Sequence, residues 1–304
     1  MIDVIVVGGG VAGMNAALYA KRNGKSVLIL EQETFGGQIT NSPKVENLPS
    51  IKSISGMEFS DKLLEQITDI GVEIELEKVE SIEKICEGHF KVKTEYAERE
   101  CRAVVLAVGV KHRTTGVKDE EKFLGKGVYY CALCDGPFYA GQEVSLIGDA
   151  NTALQYTLLL SNICKKVHVY ALFDKLFADQ VLINAVKSRE NVDIKMQVAL
   201  QEFKGEDKLE GLKFKETNTG KEFEVSTPAV FIAIGQIPDN EKYKNLVDLD
   251  DNGYFAVDES CMTKTSGVFV AGDCRRKKIR QLATAISDGA VAGTNASLYI
   301  DSLA

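Results

Sequence analysis

One pattern occurs twice in this chain and limits what it can fold into. The stretch DVIVVGGGVAGMNAALYAKRNGKSVLILE, residues 3–31, reads as an apolar strand, a glycine turn, a helix with alanines on its packing face and a second strand ending in Glu31. The same order returns in EVSLIG, residues 143–148, a helix from about Thr152, and KKVHVYAL, residues 165–172. Each copy is followed by alternating polar and apolar residues broken by turn residues. The first such run starts at Val72 and returns to a buried strand ending at Gly109; the second starts near Asp193 and closes on AVFIAIG at Gly235. Alternation of this kind predicts a small antiparallel meander. The expected class is therefore α/β, with two Rossmann-like dinucleotide-binding domains of three-layer ββα type. The segment from Tyr243 to Ala304 holds one strand, SGVFVAGDC, and one small-residue helix, LATAISDGAVAGTNASLYI. A lone strand and helix have no sheet to bury against, so they are expected to rejoin the first domain. The first domain is then 1–112 with 243–304, and 113–242 is an insertion.

Gly8, Gly10 and Gly13 form G-x-G-x-x-G directly between strand and helix. Gly8 permits the tight turn, Gly10 lets a pyrophosphate approach the backbone, and Gly13 allows close helix packing. Glu31 stands 18 residues after Gly13, near the distance at which an acid accepts from an adenosine ribose hydroxyl. Near the other end, the acid in VFVAGD could accept from sugar hydroxyls beside a helix N-terminus. On its own, Asp273 is also an ordinary helix N-cap.

Composition narrows the function. No apolar run reaches the length of a membrane span, and the first strand begins at residue 2, which leaves no room for a signal peptide. A cytoplasmic protein is expected. A net charge of -8 argues against general nucleic-acid binding. Of seven cysteines only Cys131 and Cys134 are closely spaced, which reads as a redox pair in a reducing compartment rather than a disulfide scaffold. Two thiols separated by two residues can close a small disulfide, and a helix start there would lower a thiolate pKa. Zinc is the structural alternative, but there is no second C-x-x-C, and His89, His112 and His168 are scattered. No metal site is expected.

Together GGGVAG, FGGQIT, VENLP, CALCDG, AIGQIPDN and GVFVAGDC followed by IRQLATAISDGAVAG resemble the low-molecular-weight thioredoxin reductase family from one end of the chain to the other. The resemblance implies FAD in the first site. It also implies that Gly8, Gly10, Val11, Ala12, Gly13, Glu31, Gln32, Gly36, Gly37, Gln38, Asn47, Val79, Ala107, Gly109, Gly272, Asp273, Arg280, Gln281, Leu282 and Ala283 line it. In the family the residue matching Cys134 takes electrons from the flavin, the one matching Cys131 attacks the partner's disulfide, and the one matching Asp135 moves the proton. A carboxylate beside a departing thiol makes sense as an acid and base. Asp135 could equally be a turn residue before Gly136. A thioredoxin or thioredoxin-like partner and a homodimer are implied on the same footing.

The second turn departs from the first. It reads Gly148-x-Ala150-x-x-Ala153, with Asp149 at the phosphate-facing position. A like-charge pair at 4 Å costs about 4 kcal/mol at an effective dielectric of about 20, roughly three decades of affinity. Family members that use NADPH carry a histidine and arginines after this strand, where this chain has Ala171, Leu172, Phe173 and Phe177; no arginine occurs between Val167 and Arg189. Phosphate recognition needs bidentate cations. NADPH is disfavoured, and NADH less firmly, because Asp174 lies 21 residues after Ala153 although Ala171 is in register. The pattern is most similar to the ferredoxin-dependent flavin thioredoxin reductases, which keep FAD and the dithiol without the nucleotide motifs. A ferredoxin at about −400 mV feeding a thioredoxin at about −270 mV leaves about 130 mV, or roughly 6 kcal/mol for two electrons. Basic residues in CRRKKIRQ, namely Arg275, Arg276, Lys277, Lys278 and Arg280, could steer an acidic donor or the thioredoxin, or form a solvated loop. The expected function is ferredoxin-driven disulfide reduction. The alternatives are an NAD(P)H-driven reductase with a degenerate site and a non-catalytic redox-sensing flavoprotein.

Overall fold

The computed structural model describes residues 1–42 and 45–303. The chain begins β1 (Ile2–Val7), α1 (Val11–Arg22), β2 (Val27–Glu31), α2 (Gly56–Asp69), β3 (Glu73–Leu76), β4 (Val79–Cys86), β5 (His89–Thr94) and β6 (Glu98–Leu106). It continues through β7 (Lys111–His112), β8 (Val128–Tyr129), α3 (Ala132–Asp135), β9 (Glu143–Ile147), α4 (Asn151–Ser161), β10 (Lys166–Tyr170), α5 (Gln180–Lys187) and β11 (Val192–Lys195). It closes with β12 (Val198–Lys204), β13 (Gly211–Glu216), β14 (Glu222–Ser226), β15 (Val230–Ile232), β16 (Gln236–Ile237), β17 (Val268–Val270) and α6 (Leu282–Asp301).

Contacts divide the chain into two compact units, residues 1–111 with 237 onward, and residues 112–236. In the first unit β3, β2, β1 and β6 lie side by side in parallel. Strand β6 is shared along its length: its C-terminal half pairs in parallel with β17, Val104 opposite Val268, and its N-terminal half pairs antiparallel with β5, Cys101 opposite Phe90. In the second unit β11, β10, β9, β15 and β8 form a parallel sheet, and β12, β13 and β14 a separate antiparallel one. The order β3-β2-β1-β6 matches β11-β10-β9-β15, so the expected α/β class with an inserted second Rossmann-like unit is what the chain adopts.

The residues explain the layers. Strand β1 is nearly continuous apolar sequence because both its faces are covered. Helix α6 returns to the first sheet by lying on α1 with very small residues between them. A Cβ on Gly289 would stand 2.4 Å from the Ala12 carbonyl oxygen, and one on Gly293 2.2 Å from that of Ala16.

Three details differ from the sequence reading. β3 and β11 are not the first strands of meanders; they pair in parallel with β2 and β10, Ile74 opposite Ile29 and Ile194 opposite Val169. Parallel neighbours require a crossover, supplied by α2 and α5, neither of them foreseen from the sequence. Alternation alone does not distinguish a parallel edge strand from a hairpin strand. Residues 237–242 group with the first unit rather than the insertion. The buried Asn240 side chain there donates to the Gly253 and Cys274 carbonyls at 3.0 and 2.9 Å, and Lys242 donates to the Val79 carbonyl.

The two turns differ in how closely the helix approaches. A Cβ on Gly13 would lie 1.9 Å from the Gly8 carbonyl oxygen, whereas Ala153 occupies the matching position of the second unit and is fully buried. Gly13→Ala is expected to destabilise the protein by about 1–3 kcal/mol through overpacking. Ala153→Gly should cost only about 1 kcal/mol, from helix propensity. Urea denaturation of the two variants checks the order.

Candidate active site

The first unit builds a cradle at the N-terminus of α1. Gly8 sits at φ 106, and a Cβ there would meet the Ala107 carbonyl oxygen at 2.4 Å. Gly10 is different: the nearest atoms to a Cβ would be the Gly36 oxygen and Gly37 Cα, at 3.9 and 4.0 Å, so packing does not demand a glycine there. Open space over Gly10 is what the approach of a ligand to the backbone requires. Helix α1 has no side-chain cap and no acid in its first turn, which leaves the N–H groups around Val11 and Ala12 available to an anion. Gly36 donates to the Gly9 carbonyl at 2.9 Å, and Gly36 and Gly37, both at positive φ, lead into a 3-10 turn carrying Gln38, whose amide donates to the Val110 carbonyl. The Glu31 carboxylate accepts from the Gly9 and Glu33 N–H groups at 2.6 and 2.8 Å, and Gln32 follows it on the surface. Ala107 and Gly109, the latter at φ 62, follow β6. Val79 lies in the other core layer.

The C-terminal part of this unit adds a carboxylate and a helix start. Asp273 follows β17 after Gly272, and its Oδ1 is buried with no hydrogen-bond partner among the described residues. It is not a helix cap, because α6 starts nine residues later with Gln281 and Thr284 forming a capping box. Leu282 and Ala283 open that helix, the Asn47 side chain donates to that of Gln281 at 3.1 Å, and the Arg280 guanidinium lies over the Tyr254 ring at 4.2 Å. An orphaned carboxylate oxygen and an uncapped helix with open space at its turn fit a dinucleotide carrying a polyhydroxylated chain, which is the chemistry of FAD.

The basic run is only partly a surface. Arg275 and Lys277 have side chains 3% and 6% exposed and are held by Asp288, at 2.8 Å each. Arg276 and Lys278 are exposed, with Ile279 between Lys278 and the part-buried Arg280. The five-cation patch expected from sequence is corrected to these outer residues. Charge spacing gave no sign that an acid 13 residues further on draws two of them inward.

The second unit carries the dithiol. Cys131 and Cys134 are joined in a disulfide, with Cα atoms 5.3 Å apart, and the Cys134 N–H donates to Cys131 Sγ at 3.1 Å. Helix α3 is a single turn, so the dipole contribution expected from a helix start is small. Asp135 is buried, its Oδ1 has no partner among the described residues, and desolvation pushes its carboxyl up to about 7. The sequence reading missed its surroundings. The Tyr129 and Tyr139 hydroxyls lie 3.0 Å apart, and burial, with the Asp135 charge, raises both. The His112 ring stacks on Tyr130 at 4.5 Å and is lowered to about 4 by burial. Tyrosines on both sides of CALCDG were the available signal. The other cysteines are free; Cys86 is exposed, while Cys101, Cys164, Cys261 and Cys274 are buried, and burial pushes Cys101, Cys261 and Cys274 up to about 12.

The second turn keeps the backbone of the first. Gly148 donates to the Tyr170 carbonyl as Gly8 does to Leu30, and Ala150 bridges Phe177 as Gly10 bridges Gly36. This register sets Ala150 against Gly10, the position with open space, and Ala171 against Glu31; Asp149 falls against Gly9, where a Cβ would meet the Phe35 ring at 2.6 Å and Glu31 Cβ at 3.1 Å, so the phosphate-facing position expected for Asp149 from sequence is corrected to Ala150. The Phe177 N–H donates to the Asp149 carbonyl at 2.7 Å, and Phe173 and Phe177, each half exposed, pack edge to face. Asp174 lies in the exposed loop between them.

Residues 2–289 match the family described as pyridine nucleotide-disulphide oxidoreductase. The thioredoxin reductase of Listeria monocytogenes is 37% identical over 304 residues, covering 99% of this chain and 94% of that one. A Clostridium pasteurianum relative described as a 34.2 kDa protein in rubredoxin operon is 35% identical over 300 residues, covering 98% and 97%. The crystal structure of thioredoxin reductase from Streptococcus pyogenes aligns with a TM-score of 0.95 at 35% identity over 99% of both chains. The chain belongs to the pyridine nucleotide-disulphide oxidoreductases and, within them, to the thioredoxin reductases. It is a flavoprotein disulfide oxidoreductase with FAD as cofactor and a cysteine pair. Among the described residues no helix is long and apolar enough to cross a membrane.

The raised Asp135 pKa has a sign that can be checked. Its folded value of about 7 lies above the ordinary 3.8, so its contribution to stability is fully present below pH 3.8 and is lost as pH rises through about 7. Asp135→Asn should remove that loss. Urea denaturation of the oxidised protein across this range should show the wild-type stability falling relative to the variant.

Proposed function

We propose that this chain reduces a thioredoxin or thioredoxin-like disulfide through FAD and the Cys131–Cys134 pair, with reduced ferredoxin rather than NADPH as electron donor. The observation that carries the donor assignment is the second turn. Asp149 occupies the position of Gly9, Ala171 that of Glu31, and the loop beyond offers Leu172, Phe173 and Phe177 where a phosphate clamp needs cations. Gly9 and Glu31 have the opposite character in the cradle of the first unit. The exposed Arg276 and Lys278 form a local basic spot, against the chain's net charge of -8, that suits an acidic donor.

FAD, when bound, supplies exchange between a one-electron donor and a two-electron disulfide. Gly8 to Gly13, Glu31, Gly36 to Gln38, Asn47, Asp273 and the first turn of α6 would hold it. The rest is thiol chemistry of the chain itself. In the dithiol form the Cys131 thiolate attacks the partner's disulfide, giving a mixed disulfide and one partner thiolate. Cys134 then attacks Cys131 Sγ, the second partner sulfur leaves, and the Cys131–Cys134 bond re-forms. Asp135 follows Cys134 directly, and a carboxyl of pKa about 7 suits proton donation to a departing sulfur and recovery of that proton. A homodimer, implied by the family resemblance, belongs to the same reading and is checked by sedimentation.

Anaerobic titration of the purified holoprotein separates the donors. Reduced ferredoxin should bleach the flavin's visible absorbance, while NADPH and NADH should do so slowly or not at all. Rapid bleaching by NADPH would overturn the donor assignment. With Cys134→Ser, ferredoxin should still bleach the flavin, but partner thiols should not form; unchanged thiol production would overturn the cysteine roles.

A further inference from the structure

The part of the basic run that turns inward forms a closed network beside the proposed cofactor carboxylate. Asp288, 4% exposed on α6, accepts from the Gly272 N–H at 3.0 Å, from Arg275 Nε and Nη2 at 2.8 Å each, and from Lys277 Nζ at 2.8 Å. Arg275 directs its other edge to the exposed Glu259 at 2.9 Å, while Lys277 Nζ also reaches Thr284 Oγ1 at 3.4 Å. Its Nζ lies 3.6 Å from Oδ1 of Asp273, the oxygen that has no hydrogen-bond partner among the described residues. Asp288 thus fixes both neighbours of the site: the backbone of Gly272 and the ammonium facing Asp273.

We propose that Lys277, anchored by Asp288, is a positioning residue that keeps Asp273 ionised and aimed at a ribityl hydroxyl of FAD. The inference rests on the reading that Asp273 holds the cofactor. A buried carboxylate accepts a sugar hydroxyl strongly only while charged, and burial works against that charge. Burial pushes the Asp273 carboxyl above its ordinary value; Lys277 and Arg280 oppose that rise, and the Asp288 charge adds to it. Arg280 is committed elsewhere, with Nε donating to the Asp273 carbonyl at 3.2 Å and its plane on Tyr254. This leaves Lys277 as the cation aimed at the carboxylate.

The test is FAD affinity of the full chain, read by flavin fluorescence on re-adding FAD to stripped protein across the acid to neutral range. Lys277→Gln leaves the Arg275–Asp288 pair intact and is expected to fold, which circular dichroism of the apoprotein verifies. Its FAD dissociation constant should rise by about tenfold or more. The loss should grow as pH falls, because Asp273 then protonates at a higher pH than in the wild type. Lys277→Arg, which keeps the charge, should restore most of the affinity and the wild-type pH profile. Lys277→Met provides the same measurement should the glutamine variant fold poorly. Wild-type affinity with an unshifted pH profile in either neutral variant overturns the proposal, as does a loss that arginine fails to rescue. Asp273→Asn separates this from the underlying reading. If that variant binds FAD as the wild type does, Asp273 is not a cofactor ligand. If it weakens FAD while the neutral Lys277 variants do not, the positioning role alone fails.

Discussion

The closeness of backbone to backbone at the glycine turn is the constraint on which the first unit depends. Gly8 lies against the carbonyl of Ala107, and Gly13 against the carbonyl of Gly8, at separations that exclude any side chain. That contact holds β1, α1 and β6 at one spacing and leaves the uncapped end of α1 beside the open space over Gly10. The stripe of Gly289 and Gly293 on Ala12 and Ala16 extends the same principle to α6, bringing the Asp273 segment to the cradle from far along the chain.

The inserted unit shows that backbone and chemistry can part. Gly148 repeats the left-handed turn, with a Cβ 2.5 Å from the Ala233 carbonyl oxygen, so the strand–turn–helix geometry survives. The side chains around the turn differ, with Asp149 at the position of Gly9, Ala150 at that of Gly10 and Ala171 at that of Glu31. A shared backbone geometry therefore leaves the chemistry of each turn to its side chains.

The doubled sheet, the glycine cradle and the dithiol were legible in the sequence because each is written locally, in residues a few positions apart. What was not legible depends on partners distant in the chain. The fate of Arg275 and Lys277 is decided by Asp288, and that of residues 237–242 by Asn240 reaching the Cys274 carbonyl. The environment of Asp135 depends on Tyr129 and Tyr139, which stand on either side of α3 and follow no periodicity. Strands β3 and β11 look alike in either orientation until the crossover helix is known.

Burial of the spare thiols bears on fidelity. A protein whose trade is swapping sulfur–sulfur bonds risks short-circuiting through its own side chains. With Cys101, Cys261 and Cys274 held protonated deep inside the first unit, those sulfurs are poor nucleophiles at neutral pH and out of reach of an incoming partner. Interior insulation of this kind channels exchange to one surface-accessible pair, and leaves Cys86 as the single place where stray oxidation could cross-link the molecule.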